Sequence, residues 1–384
     1  DEKGNTPMKE AFKPVTDSLA EKAETGLLKT VPDGMKPGSD VANLSVMGYA
    51  PDLYYTGRSP LEALSIGVKM SPEDVSYRCN LVTLSEDENY ENKTMRDYSA
   101  GEITTSEAHE LISFLAENLP LEGAELYGGV SYRHCLLLKN ADTGAILTPP
   151  HDISDRKITD YLPKGEHADR FLTLMKKSFD MLKDHPVNIE RRKKGLNPAN
   201  SIWLWGEGRK PALDDFYKLH GLHGAVISAV DLIKGIGIAA NMEVIEVAGA
   251  TGTIKTNFDG KAEAAVNALK KNDFVYIHLE APDECGHQGN YEEKKQSIEL
   301  IDRKIVGPVL EFLKAQNVPF KIAVLPDHAT PIVKKTHVSD PVPYLIYYSE
   351  NPVGSGIKVF DEENAAKTGI YTASGVDFMK KLLS

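Results

Sequence analysis

The sequence predicts an α/β protein, a mainly parallel sheet flanked by helices, with a smaller α+β domain inserted into it. Three observations carry that prediction. From about residue 201, apolar strand-like runs alternate with amphipathic helical stretches, the pattern of a parallel sheet buried on both faces. Between about 60 and 195 the texture changes to a mixture of alternating runs and helical spacing. The length, 384 residues, also exceeds one ordinary core. The expected boundaries are 1–57 with 210–384 for the larger domain and 58–209 for the insert.

The elements follow in order. "PVTDSLAEKAE" has helical spacing, "GLLKTVP" reads as a short strand, and "DGMKPGSDVANLS" opens as a loop. In the insert, "VSYRCNLVTL" and "VSYRHCLLLK" alternate as strands, while "TSEAHELISFLAENL" and "ADRFLTLMKKSFDMLKDH" are helices. The polar, basic "NIERRKKGLNPAN" (188–200) is expected to be a linker. Beyond it, "SIWLWG", "MEVIEV", "DFVYIHLE", "FKIAVLP" and "PVPYLIYY" are strands of the larger sheet. "HGAVISAVDLIKGIGIAAN", "GKAEAAVNALKK" and "EEKKQSIELIDRKIVGPVLEFLKAQ" are its helices.

Composition narrows the function. The chain carries 44 basic and 56 acidic residues, net −12, which disfavours nucleic acid or an anionic membrane as partner but allows a small anionic substrate. No stretch approaches about 18 apolar residues, so nothing spans a membrane as a helix. Cys79, Cys135 and Cys285 are far apart and odd in number, the usage of reduced thiols in a cytoplasmic setting. Cys285 reads as a bystander thiol. The chain opens "DEKGNTPMKEAF", with neither a methionine nor a leading strand, so processing or a preceding segment is expected.

The chemistry concentrates at two strand ends. "DFVYIHLE" leads to Asp283 and His287, four apart; "FKIAVLP" leads to Asp327 and His328, with His337 after them. Ligands of open α/β sheets bind beyond the carboxyl ends of strands, so these five are expected on one edge of one sheet. Imidazole with carboxylate suits divalent Mn, Zn or Co, and carboxylates with waters suit Mg. Five ligands exceed one tetrahedral site, so two divalent ions are expected, an arrangement suited to phosphoryl transfer. Ser39, in "KPGSDVANLSVMGY", stands where a loop turns into a helix, at the end that attracts phosphate. Beside two metals it becomes the candidate catalytic nucleophile. Arg133, His134, His151, Asp152, Arg191, Arg192, Arg209, Lys210 and Lys234 are candidates to bind a phosphate and a carboxylate. "GIGIAA" follows a helix and "GATGTIKT" has the wrong spacing, so neither is a nucleotide loop.

Across nearly the whole chain, "PGSDVANLSVMGY", "YYTGRSPLEALSIG", "SYRHCLLL", "TPPHDI", "NPANSIWLWGEGRKP", "VIEVAGATG", "EAPDECGH" and "PDHATP" with "KTHVSDPVP" resemble the archaeal-type, cofactor-independent phosphoglycerate mutases of the alkaline phosphatase superfamily. The resemblance implies an alkaline-phosphatase-like core with the insert as substrate-binding domain, and hinges near 55–60 and 195–215. It implies that Ser39 is transiently phosphorylated. It further implies that Asp283, His287 and His337 hold one metal, with Asp327, His328 and Ser39 around the other, and that Lys234 lies near the phosphate. The implied reaction interconverts 3-phosphoglycerate and 2-phosphoglycerate without bisphosphoglycerate; a homoserine kinase-like phosphotransferase, a phosphomonoesterase and a non-catalytic binding protein are the alternatives. One departure stands out. The family has an early strand ending in Asp-Gly whose Asp is a further metal ligand, whereas here Asp1 is the only Asp before Asp17 and Glu2 follows it.

Overall fold

The computed structural model describes residues 4–86 and 89–384; Asp1 and Glu2 lie outside the described residues. The chain divides into two compact units, one made of the residues up to Tyr55 with Leu213–Ser384, the other of Thr56–Ala212.

In the larger unit, Val342–Tyr348 runs antiparallel to Glu24–Leu28 on one side and to Lys321–Val324 on the other, and Tyr371–Thr372 pairs parallel with Glu24–Leu28. Alternate residues of Val342–Tyr348 enter two cores. Leu345 packs with Leu19, Val306, Leu310 and Phe360, while Tyr344 and Ile346 pack with Leu28, Val46 and Phe378. Both faces of the strand are covered, which is why the run is apolar at almost every position. A second sheet, Glu243–Ile245, Gly224–Ile227 and Phe274–Ile277, is parallel throughout.

Several expectations change here. The α/β class holds, but the mainly parallel sheet is two sheets, one of them mixed, because Val342–Tyr348 opposes both neighbours. The stretch 223–241 is not one helix: Gly224–Ile227 is the central strand of the parallel sheet and only Asp231–Ala239 is helical. A short, wholly apolar run has no period that separates strand from buried helix. The long helix breaks at a π turn, Asp302–Val306, between Tyr291–Ile301 and Gly307–Ala315. There the Asp302 carboxylate accepts bonds from the Thr16 N–H at 2.7 Å and the Thr16 hydroxyl at 2.6 Å, fixing the Pro14–Ala20 helix.

Phe274–Ile277 and Lys321–Val324 are outer strands of their separate sheets, and both line one cavity of about 1810 Å³. Their residues are only half-buried, whereas Ala225, Val226 and Ile227 are fully buried.

In the smaller unit, Val75–Leu84 lies between Arg133–Leu138 and Ser201–Arg209, antiparallel to both, and Ala124–Tyr127 and Met95–Asp97 extend the sheet. Thr105–Asn118 and Ala168–Leu182 pack their apolar sides into a core with Tyr77, Leu136 and Trp203. The expected linker at 188–200 is instead part of this unit. Pro186–Lys193 is a helix, and Asn188 bonds the backbone of Ala199 at both ends of its amide. "SIWLWG" likewise belongs to this antiparallel sheet and not to the larger one.

The C-terminal helix Gly375–Leu383 fixes the position of the Ser39–Val46 helix. A Cβ on Gly375 would lie 2.1 Å from the Ser45 carbonyl oxygen, so only glycine permits the approach. Gly375→Ala is expected to lower unfolding stability by about 1–3 kcal/mol, read as a lower urea midpoint; an unchanged midpoint would refute this packing.

Candidate functional site

Ser39 is the first residue of the Ser39–Val46 helix. Gly38 holds the cap position without a side-chain bond, so the Ser39 hydroxyl is not used as a helix cap. It lies 2.9 Å from His328 Nε2 instead, in a buried contact. One turn further on, the fully buried Asn43 amide donates to the Ser39 carbonyl and to Asp327 Oδ2, both at 2.7 Å, and accepts from the Tyr276 hydroxyl at 2.6 Å. The strand end at Asp327 and the start of the Ser39 helix are therefore tied through one amide.

Asp283 and His287 sit in the helix Ala281–Gln288, not in a turn, and their four-residue spacing puts them on one face. His287 Nε2 is 3.2 Å from Asp283 Oδ2, and His337 Nε2 is 3.3 Å from Asp283 Oδ1. Thr330 donates its hydroxyl to the same carboxylate. The two Nε2 atoms of His287 and His337 stand 3.0 Å apart. His287 Nδ1 is 3.0 Å from the Lys335 carbonyl, and His337 hydrogen-bonds the backbone of Pro37, which as a proline offers only its carbonyl. Rings with one N–H committed to a carbonyl present a lone pair at the other nitrogen. Two imidazoles and a carboxylate converging in this way can hold a cation between them, a proton on His337 or a metal ion in its place, and a backbone carbonyl behind each imidazole is the usual support of a metal-bound histidine. Among the described residues, Asp283, His287 and His337 are the group whose ligand atoms come within 4.8 Å of one another. The residues fit a divalent ion.

The expectation that all five ligands lie on one sheet edge is corrected: the strands that lead to them belong to different sheets. The loops beyond those strands nevertheless bring the five together. His328 Nδ1 is 4.0 Å from Asp283, and the His328 and His337 rings are 4.0 Å apart. Asp327 and His328 are adjacent, with Nε2 3.5 Å from Oδ2.

Electrostatics follow from the packing. Burial pushes the Asp283 carboxyl up, but bonds from His337 and Thr330 and the facing imidazoles outweigh it, leaving Asp283 below the usual carboxylate range. Burial likewise opposes the charge of Asp327, which His328, His278 and Asn43 hold well below that range. Burial lowers His328. His337 is raised above an ordinary imidazole because Asp283 outweighs its burial. Burial pushes the Cys285 thiol up to about 11, consistent with a bystander.

Sequence reasoning missed Asn43, Tyr276, Thr330 and His278. His278 ends the Phe274–Ile277 strand run, with Nδ1 3.2 Å from Ser228 Oγ and Nε2 3.8 Å from Asp327. A histidine at the carboxyl end of a sheet strand was the available signal. Asn43, one turn after Ser39, was legible only from helical spacing.

The candidate substrate residues fare unequally. Arg191 is buried and bonds Glu107, the Ala100 carbonyl and the Asn197 carbonyl at 2.7–2.8 Å. Arg192 bonds the Lys183 carbonyl and Glu86, and Arg209 bonds the carbonyls of Glu73 and Ala141. These three arginines brace the smaller unit. His134 is buried, accepts from the Gly129 N–H at Nδ1, and has an unpaired Nε2; burial pushes its pKa down to about 3. Lys234, in the larger unit, pairs with Asp231 and Glu246. Lys210 is exposed. Arg133, His151 and Asp152 stand exposed on the smaller unit.

Comparison with known proteins gives a consistent set of likenesses. A family model described as 2,3-bisphosphoglycerate-independent phosphoglycerate mutase matches residues 20–188. A protein of that name from Methanosarcina barkeri is 48% identical over 377 residues, 98% of this chain and 93% of the relative. A probable one from Geobacter sulfurreducens is 46% identical over 99% of this chain and 94% of its own length. The solved structure of a Pyrococcus horikoshii protein matches with a TM-score of 0.82 at 29% identity, over 99% of this chain and 91% of that one. The cofactor-independent phosphoglycerate mutase of Thermoplasma acidophilum matches at 0.65 and 26% identity, over 99% and 94%. Among the described residues no helix is long and apolar enough to cross a membrane.

In the metal-free chain, protons and metal compete for the same atoms. The raised His337 stabilises the fold below the unfolded imidazole value of about 6.5, and that contribution is lost as pH rises through its higher folded value. Metal binding needs the deprotonated ring, so the trend with metal is opposite. The increase in melting temperature on adding Mn²⁺ is expected to grow between about pH 6 and about pH 8, and to vanish in His287→Ala. A pH-independent increase, or one kept by His287→Ala, contradicts the assignment.

Proposed function

Because the chain belongs to the 2,3-bisphosphoglycerate-independent phosphoglycerate mutase family, whose members are isomerases, we propose that it interconverts 3-phosphoglycerate and 2-phosphoglycerate through a phosphoserine at Ser39. The observation that carries the proposal is the Ser39 hydroxyl, placed at a helix start, 2.9 Å from His328 and in the same unit as the Asp283–His287–His337 group. Asp283, His287 and His337 would hold one divalent ion, and Asp327, His328 and Ser39 a second, of Mn, Mg, Zn or Co. Bound there, the ions would lower the pKa of the serine hydroxyl and neutralise the transferring phosphoryl group.

The chain's own residues do the rest. Ser39 Oγ gives up its proton and bonds to phosphorus as the bond from phosphorus to the C3 oxygen breaks; that oxygen leaves as a hydroxyl with a proton. The helix N-terminus favours the negative phosphate carried on Ser39. Asn43 holds the Ser39 carbonyl and Asp327 in register during transfer. After glycerate turns, its 2-hydroxyl oxygen takes the phosphorus back, loses its proton and restores Ser39. We read the larger unit as an alkaline-phosphatase-like core and the smaller as the inserted substrate-binding domain.

The test is conversion of 3- to 2-phosphoglycerate with Mn²⁺ and no added bisphosphoglycerate. Turnover is expected, and it should fall by at least about 10³-fold in Ser39→Ala and on chelation. Release of inorganic phosphate in place of 2-phosphoglycerate would replace the mutase by a phosphomonoesterase. ATP-dependent phosphorylation of homoserine would replace it by a kinase.

A further inference from the structure

The buried Thr330 hydroxyl touches both candidate ligand groups. It donates to Asp283 Oδ1 and lies 3.3 Å from His328 Nδ1. Asp283 belongs with His287 and His337, and His328 with Asp327 and Ser39.

Local sequence places that hydroxyl. Ala329 bridges antiparallel to Val338, which folds the loop after Lys321–Val324 back on itself. Pro331 follows Thr330, and a proline biases the residue before it toward an extended backbone. The Thr330 carbonyl accepts from Lys294 Nζ at 2.7 Å, from the Tyr291–Ile301 helix. The same carbonyl packs on Gly286 of the Ala281–Gln288 helix, where a Cβ would lie 2.6 Å from its oxygen. Gly286 is three residues after Asp283, on the same helix face. Glycine at 286 and lysine at 294 thus seat Thr330 beside the Asp283 carboxylate.

The direction of each hydrogen bond follows from counting protons. An ionised carboxylate only accepts, so the single Thr330 hydroxyl proton goes to Asp283. Toward His328, Thr330 Oγ1 then offers only lone pairs, and the contact is satisfied by an Nδ1–H. A neutral imidazole has one N–H, so its lone pair is on Nε2. That atom is 2.9 Å from the Ser39 hydroxyl, which donates to it. The opposite tautomer would set lone pair against lone pair at Nδ1 in a buried place and leave that nitrogen unpaired. The chain of bonds therefore runs from Ser39 to His328, from His328 to Thr330, and from Thr330 to Asp283.

Packing alone does not call for this hydroxyl, since valine has the same shape without it. The hydroxyl also stands between two groups that do not meet directly. Asp283 stays 4.0 Å from the His328 ring and keeps its closer contacts, 3.2 and 3.3 Å, for His287 and His337.

We propose that Thr330 is a positioning residue that holds His328 with its proton on Nδ1 and its Nε2 lone pair toward Ser39, and that its hydroxyl couples the Asp283–His287–His337 group to the Asp327–His328–Ser39 group. That this lone pair serves a divalent ion and phosphoryl transfer rests on the mutase reading; the tautomer itself does not.

Long-range proton–nitrogen correlation spectra read the tautomer directly. The full chain is labelled at its histidine rings and kept free of metal at about pH 8, above the ordinary imidazole range. His328 is assigned by the signal lost in His328→Gln. A proton on Nδ1 alone is expected in the parent chain and in Thr330→Ser. Thr330→Val, which keeps the shape and loses the hydroxyl, is expected to lose that preference. It should also weaken Mn²⁺ binding by about 10- to 100-fold in calorimetry, and lower kcat with KM for 3-phosphoglycerate retained, while Thr330→Ser recovers both. A folded Thr330→Val that keeps the parent tautomer and Mn²⁺ affinity would reduce Thr330 to packing and overturn the proposal. A proton on Nε2 of the parent chain, alone or with one on Nδ1, would overturn it without any variant. No turnover by a parent chain that shows the Nδ1 proton and Thr330-dependent Mn²⁺ binding would overturn the mutase reading and leave the role of Thr330.

Discussion

One carboxylate organises the site. Asp283 receives His287 from its own helix, His337 and Thr330 from the loops after Lys321–Val324, and faces His328 at 4.0 Å. A partly buried carboxylate is tolerated only where donors or cations replace its water. That requirement fixes the loops after two strands of different sheets relative to each other. Once His328 is fixed, its Nε2 fixes the Ser39 hydroxyl, whose position thus follows from a charge it does not touch.

Asn43 is the second tie. Its amide has two donors and one acceptor, and all are used: toward the Ser39 carbonyl, Asp327 and the Tyr276 hydroxyl. A buried amide with a full complement of partners specifies one arrangement, because any shift leaves a polar group unpaired. The helix bearing Ser39 is thus held from inside by Asn43 and from behind by Gly375, whose missing side chain lets the last helix close on Ser45. Phosphoryl transfer relies on positioning and charge more than on covalent chemistry by the protein, so rigidity of this kind is what the reaction asks for.

Much of this was legible in the sequence, and the limits have physical causes. Apolar runs followed by Asp and His offered Asp283, His287, Asp327, His328 and His337 as candidate ligands, and the structure brings these five side chains together. Ser39 was readable from its place between a glycine-containing loop and a helical pattern. Strand direction was not, because a run buried on both faces looks the same in a parallel or an antiparallel pair; Val342–Tyr348 is the example. Nor was the strand Gly224–Ile227, which continues without a break in hydrophobicity toward its helix. Arginines were the least legible. Arg191 and Arg209 look like substrate ligands in sequence but bond backbone carbonyls.

In the proposed mechanism the Ser39 hydroxyl, and no other group, carries the phosphoryl group between two oxygens of one acid. The direct measurement is rapid quenching of the Mn²⁺-loaded chain with phosphate-labelled 3-phosphoglycerate, followed by peptide mapping. Label is expected on the peptide containing Ser39 within the first turnover, and none in Ser39→Ala. Label on another residue, or 2-phosphoglycerate formed with no labelled peptide at any time, would contradict it.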